Sequence, residues 1–147
     1  MKIAIGADHA GFAAKEEIKS VIKALGHNVL DQGTASEASV DYPDFAEKVA
    51  RAVASGDADK GVLICGTGIG MSIAANKVEG IRAALIGDEK TAALSRQHND
   101  ANVFCAGSRI TPVVKIAESL KVWLETPFEG GRHVNRVSKI AAIEKKA

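Results

Sequence analysis

Five short apolar runs alternate with amphipathic segments along the chain, and this alternation constrains the fold more than any other feature of the sequence. Each run ends at or near a glycine or a polar turn, and the runs cover residues 2–7, 27–33, 61–66, 82–87 and 101–107. Strands that read as continuous apolar runs are buried on both faces, as they are in parallel sheets covered by helices. The sequence therefore predicts an α/β fold, a three-layer αβα sandwich with a five-stranded parallel sheet of the Rossmann-like type.

The segments between the runs have the periodicity of helices. The first of them places apolar side chains on one side at intervals close to 3.6 and charged side chains mostly on the other. Another opens with Thr111 as a predicted cap and Pro112 at the first helical position. The predicted helices cover residues 11–25, 42–55, 89–98, 111–125 and about 132–145.

Length, composition and charge limit the class of protein. With 147 residues, of which 46% are hydrophobic, the chain is predicted to form a single domain over residues 1–147. Charges nearly balance and aromatics make up only 4%, so the basic surface and stacking side chains of a nucleic-acid binder are missing. The first apolar run reaches Asp8 too soon for a signal peptide or a membrane span. We expect a cytoplasmic protein that binds neither nucleic acid nor membranes and keeps both cysteines as free thiols.

Polar residues follow three of the predicted strands at the point where each strand ends. They are Asp8 and His9, the turn 65–70, and residues 107–109. Ligands of open parallel sheets bind outside the carboxyl ends of the strands, so these turns form the predicted site. The long polar connection at 33–44 is a candidate rim of that site.

The turn CGTGIGMS at 65–72 is the candidate anion-binding element. Its glycines at 66, 68 and 70 allow backbone N–H groups to turn inward, and a helix is predicted to begin there. The turn lacks the lysine of a P-loop and the glycine spacing of a dinucleotide-binding fingerprint. Met71 stands where a cysteine phosphatase needs an arginine. These residues alone leave two interpretations equally open, an oxyanion cradle and a tight turn.

Cys65 and His98 are the candidate proton-transfer residues. A thiol at a helix N-terminus forms a thiolate more readily than a free thiol, and beside an oxyanion cradle it can take a proton from carbon. Cys105 lies inside a predicted strand and is interpreted as a buried, inert thiol. His98 either caps the end of its helix or moves a proton to or from a sugar oxygen.

Arg132 and Arg136 form a candidate phosphate clamp. They are four residues apart and share one face of the predicted C-terminal helix, where like charges repel unless an anion lies between them. Arginine presents a fixed fork of donors that suits a phosphate group. Arg109 would extend the patch if the chain folds back or a second subunit supplies it. A solvated basic face is the alternative interpretation of this stretch.

Six blocks of the sequence match one family, in order and from near residue 2 to near residue 144. They are GADHAGF at 6–12, DYPDFA at 41–46, ICGTGIGMSIAANK at 64–77, RQHNDANV at 96–103, AGSRI at 106–110 and EGGRHVNR at 129–136. Together they resemble the ribose-5-phosphate isomerase B family. The resemblance implies interconversion of D-ribose 5-phosphate and D-ribulose 5-phosphate through a cis-enediolate, without metal or cofactor. It also implies a homodimer, or a dimer of dimers, with sites shared between subunits.

Carried over position by position, the resemblance assigns the chemistry to four side chains and one turn. Cys65 would shuttle the proton between C1 and C2, and Thr67 would position the base and the substrate. His98 would open the furanose ring with the help of Asp8. The turn that would hold the enediolate oxygen contributes its amides, including those of Gly66, Gly68, Ile69 and Gly70.

The resemblance also assigns the groups that bind the substrate. Asn99 would bind the sugar, and it would come with His98 from the partner chain. Arg132 and Arg136 match the phosphate-binding arginines of the family. The further contacts implied are His9 and Arg109 at the phosphate end and Tyr42 along the sugar pocket.

One branch of the family replaces the cysteine with a glutamate in the following helix. Met71 occupies that place here, so this chain resembles the cysteine branch.

Two alternatives to the pentose phosphate reaction stay open. The first alternative is an isomerase of a six-carbon sugar phosphate, such as allose 6-phosphate or galactose 6-phosphate. The second is a non-enzymatic nucleotide-binding α/β module, which would not explain Cys65, His98 and the paired arginines together.

Overall fold

The computed structural model describes residues 1–146 as an α/β fold built around one parallel sheet. Its strands are β1 (Lys2–Ala7), β2 (Asn28–Asp31), β3 (Lys60–Cys65), β4 (Ala83–Leu85) and β5 (Val103–Gly107). All neighbouring strands are parallel, and their order is β2-β1-β3-β5-β4. The predicted five-stranded parallel sheet is confirmed. Ala147, the last residue of the predicted domain, lies outside the described residues.

Helices cover both faces of the sheet. They are α1 (Phe12–Ala24), α2 (Tyr42–Ser55), α3 (Ile69–Ala75), α4 (Glu89–Asn99), α5 (Val113–Glu125) and α6 (Arg132–Ile143). The helices α1, α4 and α5 pack on one face and α2 and α3 on the other, which gives the predicted αβα sandwich. The C-terminal helix α6 packs against α4. None of the helices within residues 1–146 is long and apolar enough to cross a membrane.

The strands send alternate side chains into two apolar cores. Ile5 and Trp123 of α5 belong to the first core, and Leu63 and Val49 of α2 belong to the second. The helix α2 lies so close to the sheet that a Cβ atom on Gly61 would be 2.6 Å from Val49. Burial on both faces explains why the strands appear in the sequence as continuous apolar runs.

The start of α5 differs from the predicted one. Thr111 makes no side-chain cap, and Pro112 is the N-cap rather than the first helical residue. The extended backbone of Pro112, with ψ at 143°, precedes the helix, and its carbonyl accepts the Lys115 N–H at 2.9 Å. The Thr111 N–H donates to the Gly107 carbonyl at 2.9 Å, which keeps Thr111 in the turn after β5.

Candidate active site

The carboxyl edge of the sheet brings together the turns that follow β1, β3 and β5. The Asp8 N–H donates to the Ile64 carbonyl at 3.3 Å, which joins the turn after β1 to the end of β3. The Arg109 N–H donates to the Gly66 carbonyl at 2.9 Å, which joins the turn after β5 to the glycine turn. The predicted residues at the strand ends therefore form one continuous surface around Cys65.

The backbone amides of the glycine turn divide into two sets. The Gly68 N–H donates to Cys65 Sγ at 3.1 Å, and the Ile69 N–H donates to Thr67 Oγ1 at 3.2 Å. Within residues 1–146, the other amides of the turn donate to no protein acceptor; they belong to Gly66, Thr67 and Gly70. The amides of Gly66, Thr67 and Gly70 are therefore available to an anion, whereas those of Gly68 and Ile69 are engaged inside the turn. The Gly68 N–H therefore faces the sulfur of Cys65.

Two side chains lie directly over the glycine turn. A Cβ atom on Gly70 would be 2.5 Å from Tyr42 Cε1, so the ring of Tyr42 rests on this glycine. A Cβ atom on Gly66 would be 3.3 Å from Cδ and Nη1 of Arg109. Glycine at these two positions therefore admits an aromatic ring and a guanidinium group, which flank the free amides.

Asp8 and His9 border the same surface. The Asp8 carboxyl is only 7% exposed, and its Oδ1 accepts the Gly11 N–H at 3.0 Å. The Nδ1 atom of His9 accepts the Val40 N–H at 3.2 Å, which ties the connection 33–44 to this edge. An imidazole whose Nδ1 accepts a hydrogen bond carries its proton on Nε2, so that nitrogen can donate to an anion.

A buried ion pair supports this edge behind β1. Lys15 is 1% exposed, and its Nζ donates to both carboxylate oxygens of Asp31, at 2.8 and 2.9 Å. Asp31 Oδ1 also accepts the Gly33 N–H at 2.9 Å, and the Gly33 carbonyl accepts the Ala7 N–H, one residue before Asp8, at 2.9 Å. Partial burial raises the pKa of Asp31, but hydrogen bonds from two lysines outweigh it and lower the pKa to about 2.

Four predicted site residues lie far from Cys65 within this chain; they are His98, Asn99, Arg132 and Arg136. Arg82, which directly precedes β4, donates from Nε to the Asn99 carbonyl at 3.0 Å, so the end of α4 lies at the amino edge of the sheet. A six-residue strand such as β3 separates the two edges by roughly 20 Å. One chain therefore does not bring these residues to the thiol.

His98 belongs to a cluster that the sequence did not predict. Its Nε2 lies 3.5 Å from Glu129 Oε1, and its ring stacks on that of His133, with centroids 4.4 Å apart and planes at 13°. Burial lowers the pKa of His133, and the charges of His98 and Arg132 lower it further. Arg136 is exposed one helical turn beyond Arg132, as their spacing predicts. Glu129 and His133 lie in the block EGGRH, but no spacing rule marks them as neighbours of His98.

Cys105 differs from Cys65 in both position and environment. It pairs with Leu63 in the ladder between β3 and β5 and is fully buried. Burial raises the pKa of the Cys105 thiol well above its usual range, and the neighbouring Cys65 adds to the rise. Both cysteines are free. The structure agrees with the interpretation of Cys105 as an inert core residue.

The fold and the site define an α/β protein with a thiol and a glycine-rich turn at the carboxyl edge of a parallel sheet. A sequence model of the family described as Ribose/Galactose Isomerase matches residues 3–140, and the chain belongs to this family. Ribose-5-phosphate isomerase B of Escherichia coli is 50% identical over 145 residues, which cover 99% of this chain and 97% of that protein. The family resemblance is confirmed.

Solved structures agree with this assignment. Ribose-5-phosphate isomerase B of Clostridium thermocellum matches with a TM-score of 0.97 and 52% identity, over 99% of this chain and 98% of that one. Ribose-5-phosphate isomerase B of Mycoplasma genitalium, solved with bound ribulose-5-phosphate, matches with a TM-score of 0.94 and 46% identity, over 99% and 97% of the two chains. Both likenesses span the whole sheet and confirm the fold.

Proposed function

We propose that this chain interconverts D-ribose 5-phosphate and D-ribulose 5-phosphate. It is an enzyme, an aldose–ketose isomerase of sugar phosphates, and its relatives with about half of their residues identical are named ribose-5-phosphate isomerase B. The observation that carries the proposal is that Cys65, only 5% exposed, lies beside a turn in which the amides of Gly66, Thr67 and Gly70 donate to no acceptor within residues 1–146. A base next to an oxyanion cradle is what proton transfer adjacent to a carbonyl requires.

The reaction moves one proton between two carbons through a cis-enediolate. The Cys65 thiolate takes the proton from C2 of the aldose, and the electron pair of the broken C–H bond moves through C1 to its carbonyl oxygen, which becomes the enediolate oxyanion. The hydroxyl proton on the C2 oxygen then passes to the C1 oxygen, and the same thiol delivers its proton to C1 as the carbonyl forms at C2, so atoms and electrons balance. Amides of Gly66, Thr67 and Gly70 stabilise the developing oxyanion, and the Gly68 N–H stabilises the thiolate before the first transfer and after the second. The Thr67 hydroxyl, which accepts the Ile69 N–H, positions the base and the substrate.

The remaining groups open the sugar ring and bind the substrate. His98 and Asp8 exchange protons with the ring oxygen and the C1 hydroxyl. Tyr42 lines the sugar pocket beside Gly70, and Asn99 binds sugar hydroxyls. The groups assigned to the phosphate are His9, Arg109, Arg132 and Arg136, which supply N–H donors of the kind that bind phosphate.

The separation of these groups within one chain supports a homodimer, or a dimer of dimers. His98 and Cys65 lie at opposite edges of the sheet, so a second copy must supply His98 to complete each site. Apolar side chains surround the carboxyl edge, and Ile69, Leu85 and Ile110 are 51%, 47% and 70% exposed. A two-fold contact that covers this apolar surface also forms two equivalent sites.

The experiment that tests the function is an initial-rate assay with ribose 5-phosphate in the presence of EDTA. Cys65→Ala is expected to abolish turnover and leave substrate binding largely intact. Cys105→Ala is the matched control, because it removes a thiol that no substrate can reach, and it should retain turnover at some cost in stability. Near-normal turnover by Cys65→Ala would overturn the mechanism.

The same assay separates the alternatives. Fast turnover of allose 6-phosphate or galactose 6-phosphate with slow turnover of ribose 5-phosphate would keep the proposed chemistry and change the proposed substrate. The relatives named above favour the pentose phosphate over these six-carbon substrates. Calorimetry that detects nucleotide binding without turnover of any sugar phosphate would favour the non-enzymatic module. A cytoplasmic location and the absence of a nucleic-acid partner stay predictions.

A further inference from the structure

The cluster of His98, Glu129 and His133 has a chemical capacity that the isomerase reaction does not use. One donor atom from each side chain lies within 4.8 Å of the others. The Glu129 N–H donates to the Gln97 carbonyl at 3.1 Å, so the loop before α6 is held against the end of α4. We propose that these three side chains form a binding site for a divalent transition metal such as Zn²⁺, and that the bound metal inhibits the enzyme.

The donor set suits zinc. Two imidazoles and one carboxylate with an open fourth position form a common tetrahedral zinc site, with metal–ligand distances of about 2.0–2.2 Å. Ligands of this kind prefer Zn²⁺, Cu²⁺ or Ni²⁺ over Mg²⁺ and Ca²⁺, which favour sites made of oxygen atoms. The separation of 3.5 Å between His98 Nε2 and Glu129 Oε1 already suits two ligands of one tetrahedral ion.

Side-chain rotation is needed to close the site. The His98 and His133 rings lie in nearly parallel planes, so at least one ring must turn before a nitrogen of each can bind the same metal. His133 is buried, whereas the side chains of His98 and Glu129 are 39% and 49% exposed. The two exposed ligands can therefore turn toward the metal while the buried ligand stays in place.

The surrounding charges set limits on the site. Arg132 and Arg136 are exposed on the same helix as His133, and their positive charge opposes a cation. The same arginines favour an anion as the fourth ligand, which would offset part of the repulsion. We therefore expect a site that a chelator empties readily, rather than a permanent structural metal.

Inhibition rests on the proposed function of His98. A metal bound to His98 Nε2 occupies the lone pair that would carry a proton to or from the sugar ring. The metal's fourth ligand also occupies space beside Arg132 and Arg136, which are proposed to bind the phosphate. The metal therefore competes with ring opening and with substrate binding, whereas Mg²⁺ at the same concentration has no effect.

Direct binding is measured by titrating the full-length, EDTA-treated protein with Co²⁺ and following its visible absorption. Glu129→Gln and His133→Gln should each weaken Co²⁺ binding by at least about tenfold, which is the lower end of what even an outer partner of a ligand costs. Two controls should bind Co²⁺ as the parent does. His27→Ala removes a histidine that contacts the N-terminal amine, and Cys65→Ala removes the thiol. Circular dichroism confirms that each variant is folded.

The outcomes decide the proposal. Unchanged Co²⁺ binding in folded Glu129→Gln and His133→Gln would overturn it, as would loss of binding in Cys65→Ala, which would place the metal on the thiol. Zn²⁺ should lower turnover of ribose 5-phosphate in the parent, EDTA should restore it, and each ligand variant should be less sensitive relative to its own metal-free rate. Co²⁺ binding at the cluster without any turnover would uphold the metal site and overturn the proposed function. Turnover without Co²⁺ binding would uphold the proposed function and overturn the metal site.

Discussion

Mixing two inactive variants tests whether one chain supplies Cys65 and its partner supplies His98. Cys65→Ala chains keep His98, and His98→Ala chains keep Cys65. In a dimer that contains one of each, one site combines the two intact residues and the other combines both defects. Because the end of α4 lies roughly 20 Å from the end of β3 in the same chain, activity in the mixture can arise only in such a mixed dimer.

The size of the recovery follows from random pairing. Equal amounts of the two variants give mixed dimers in about half of all pairs, and one site of each mixed dimer is intact. Complete subunit exchange should therefore restore about one quarter of the wild-type sites. The rate of ribulose 5-phosphate formation is measured before and after exchange, and native mass spectrometry of chains with different tags confirms that mixed dimers have formed.

In a second mixture, a shared site predicts a loss of activity on subunit exchange rather than a gain. The double variant Cys65→Ala/His98→Ala is combined with an equal amount of wild-type chain. In a shared site, each mixed dimer has one defect in both of its sites, so exchange should lower the rate by about twofold. In a site within one chain, the wild-type subunit would keep its activity and the rate would not change. No gain in the first mixture and no loss in the second, after proven exchange, would refute the shared site.

Three further predictions concern the supports of the site. Ionised Asp31 stabilises the fold, so Asp31→Asn should cost about 1 kcal/mol at pH 7, a value discounted because this side chain is a third exposed. The cost should shrink in urea unfolding as the pH falls from 4 toward 2, and a cost independent of pH would contradict the ion pair. Arg136→Ala should raise KM by about tenfold with little change in kcat, and an unchanged KM would place the phosphate elsewhere. A Cβ atom on Gly107 would be 2.4 Å from the Thr67 backbone, so Gly107→Ala should lower kcat/KM by about a hundredfold. Gly87→Ala, where a Cβ atom meets nothing within 4 Å, is the control, and equal losses in the two variants would refute the steric argument.

The fold could be predicted from the sequence because both faces of the sheet are buried. Continuous apolar runs ending at or near glycines located the strands described within residues 1–146, although β4 covers only Ala83–Leu85 within the predicted run 82–87. The paired part of an edge strand depends on its neighbour, which a pattern of apolar residues does not show. The predicted start of α5 was wrong for a local reason: Pro112 has an extended backbone that precedes the helix, and the Thr111 N–H is engaged in the turn after β5.

The candidate site was only partly predictable. Residues after the strands could be named because parallel topology brings strand ends to one edge. The sequence could not predict which amides of the turn are engaged and which are free, because this depends on whether Cys65 Sγ and Thr67 Oγ1 accept hydrogen bonds. The contacts of His98 with Glu129 and His133 join separate elements, and no periodicity encodes them.

The connectivity of the fold supports the proposal that each site needs a second copy of the chain. A helix that joins two parallel strands must run back across the sheet, so its carboxyl end always lies at the amino edge. His98 is at the carboxyl end of α4, and Cys65 is at the carboxyl end of β3. No rotamer change within one chain closes that distance. If a partner approaches through the apolar surface around Ile69 and Ile110, pairing and assembly of the site become the same event, and dilution below the dimer dissociation constant removes activity without unfolding the chain.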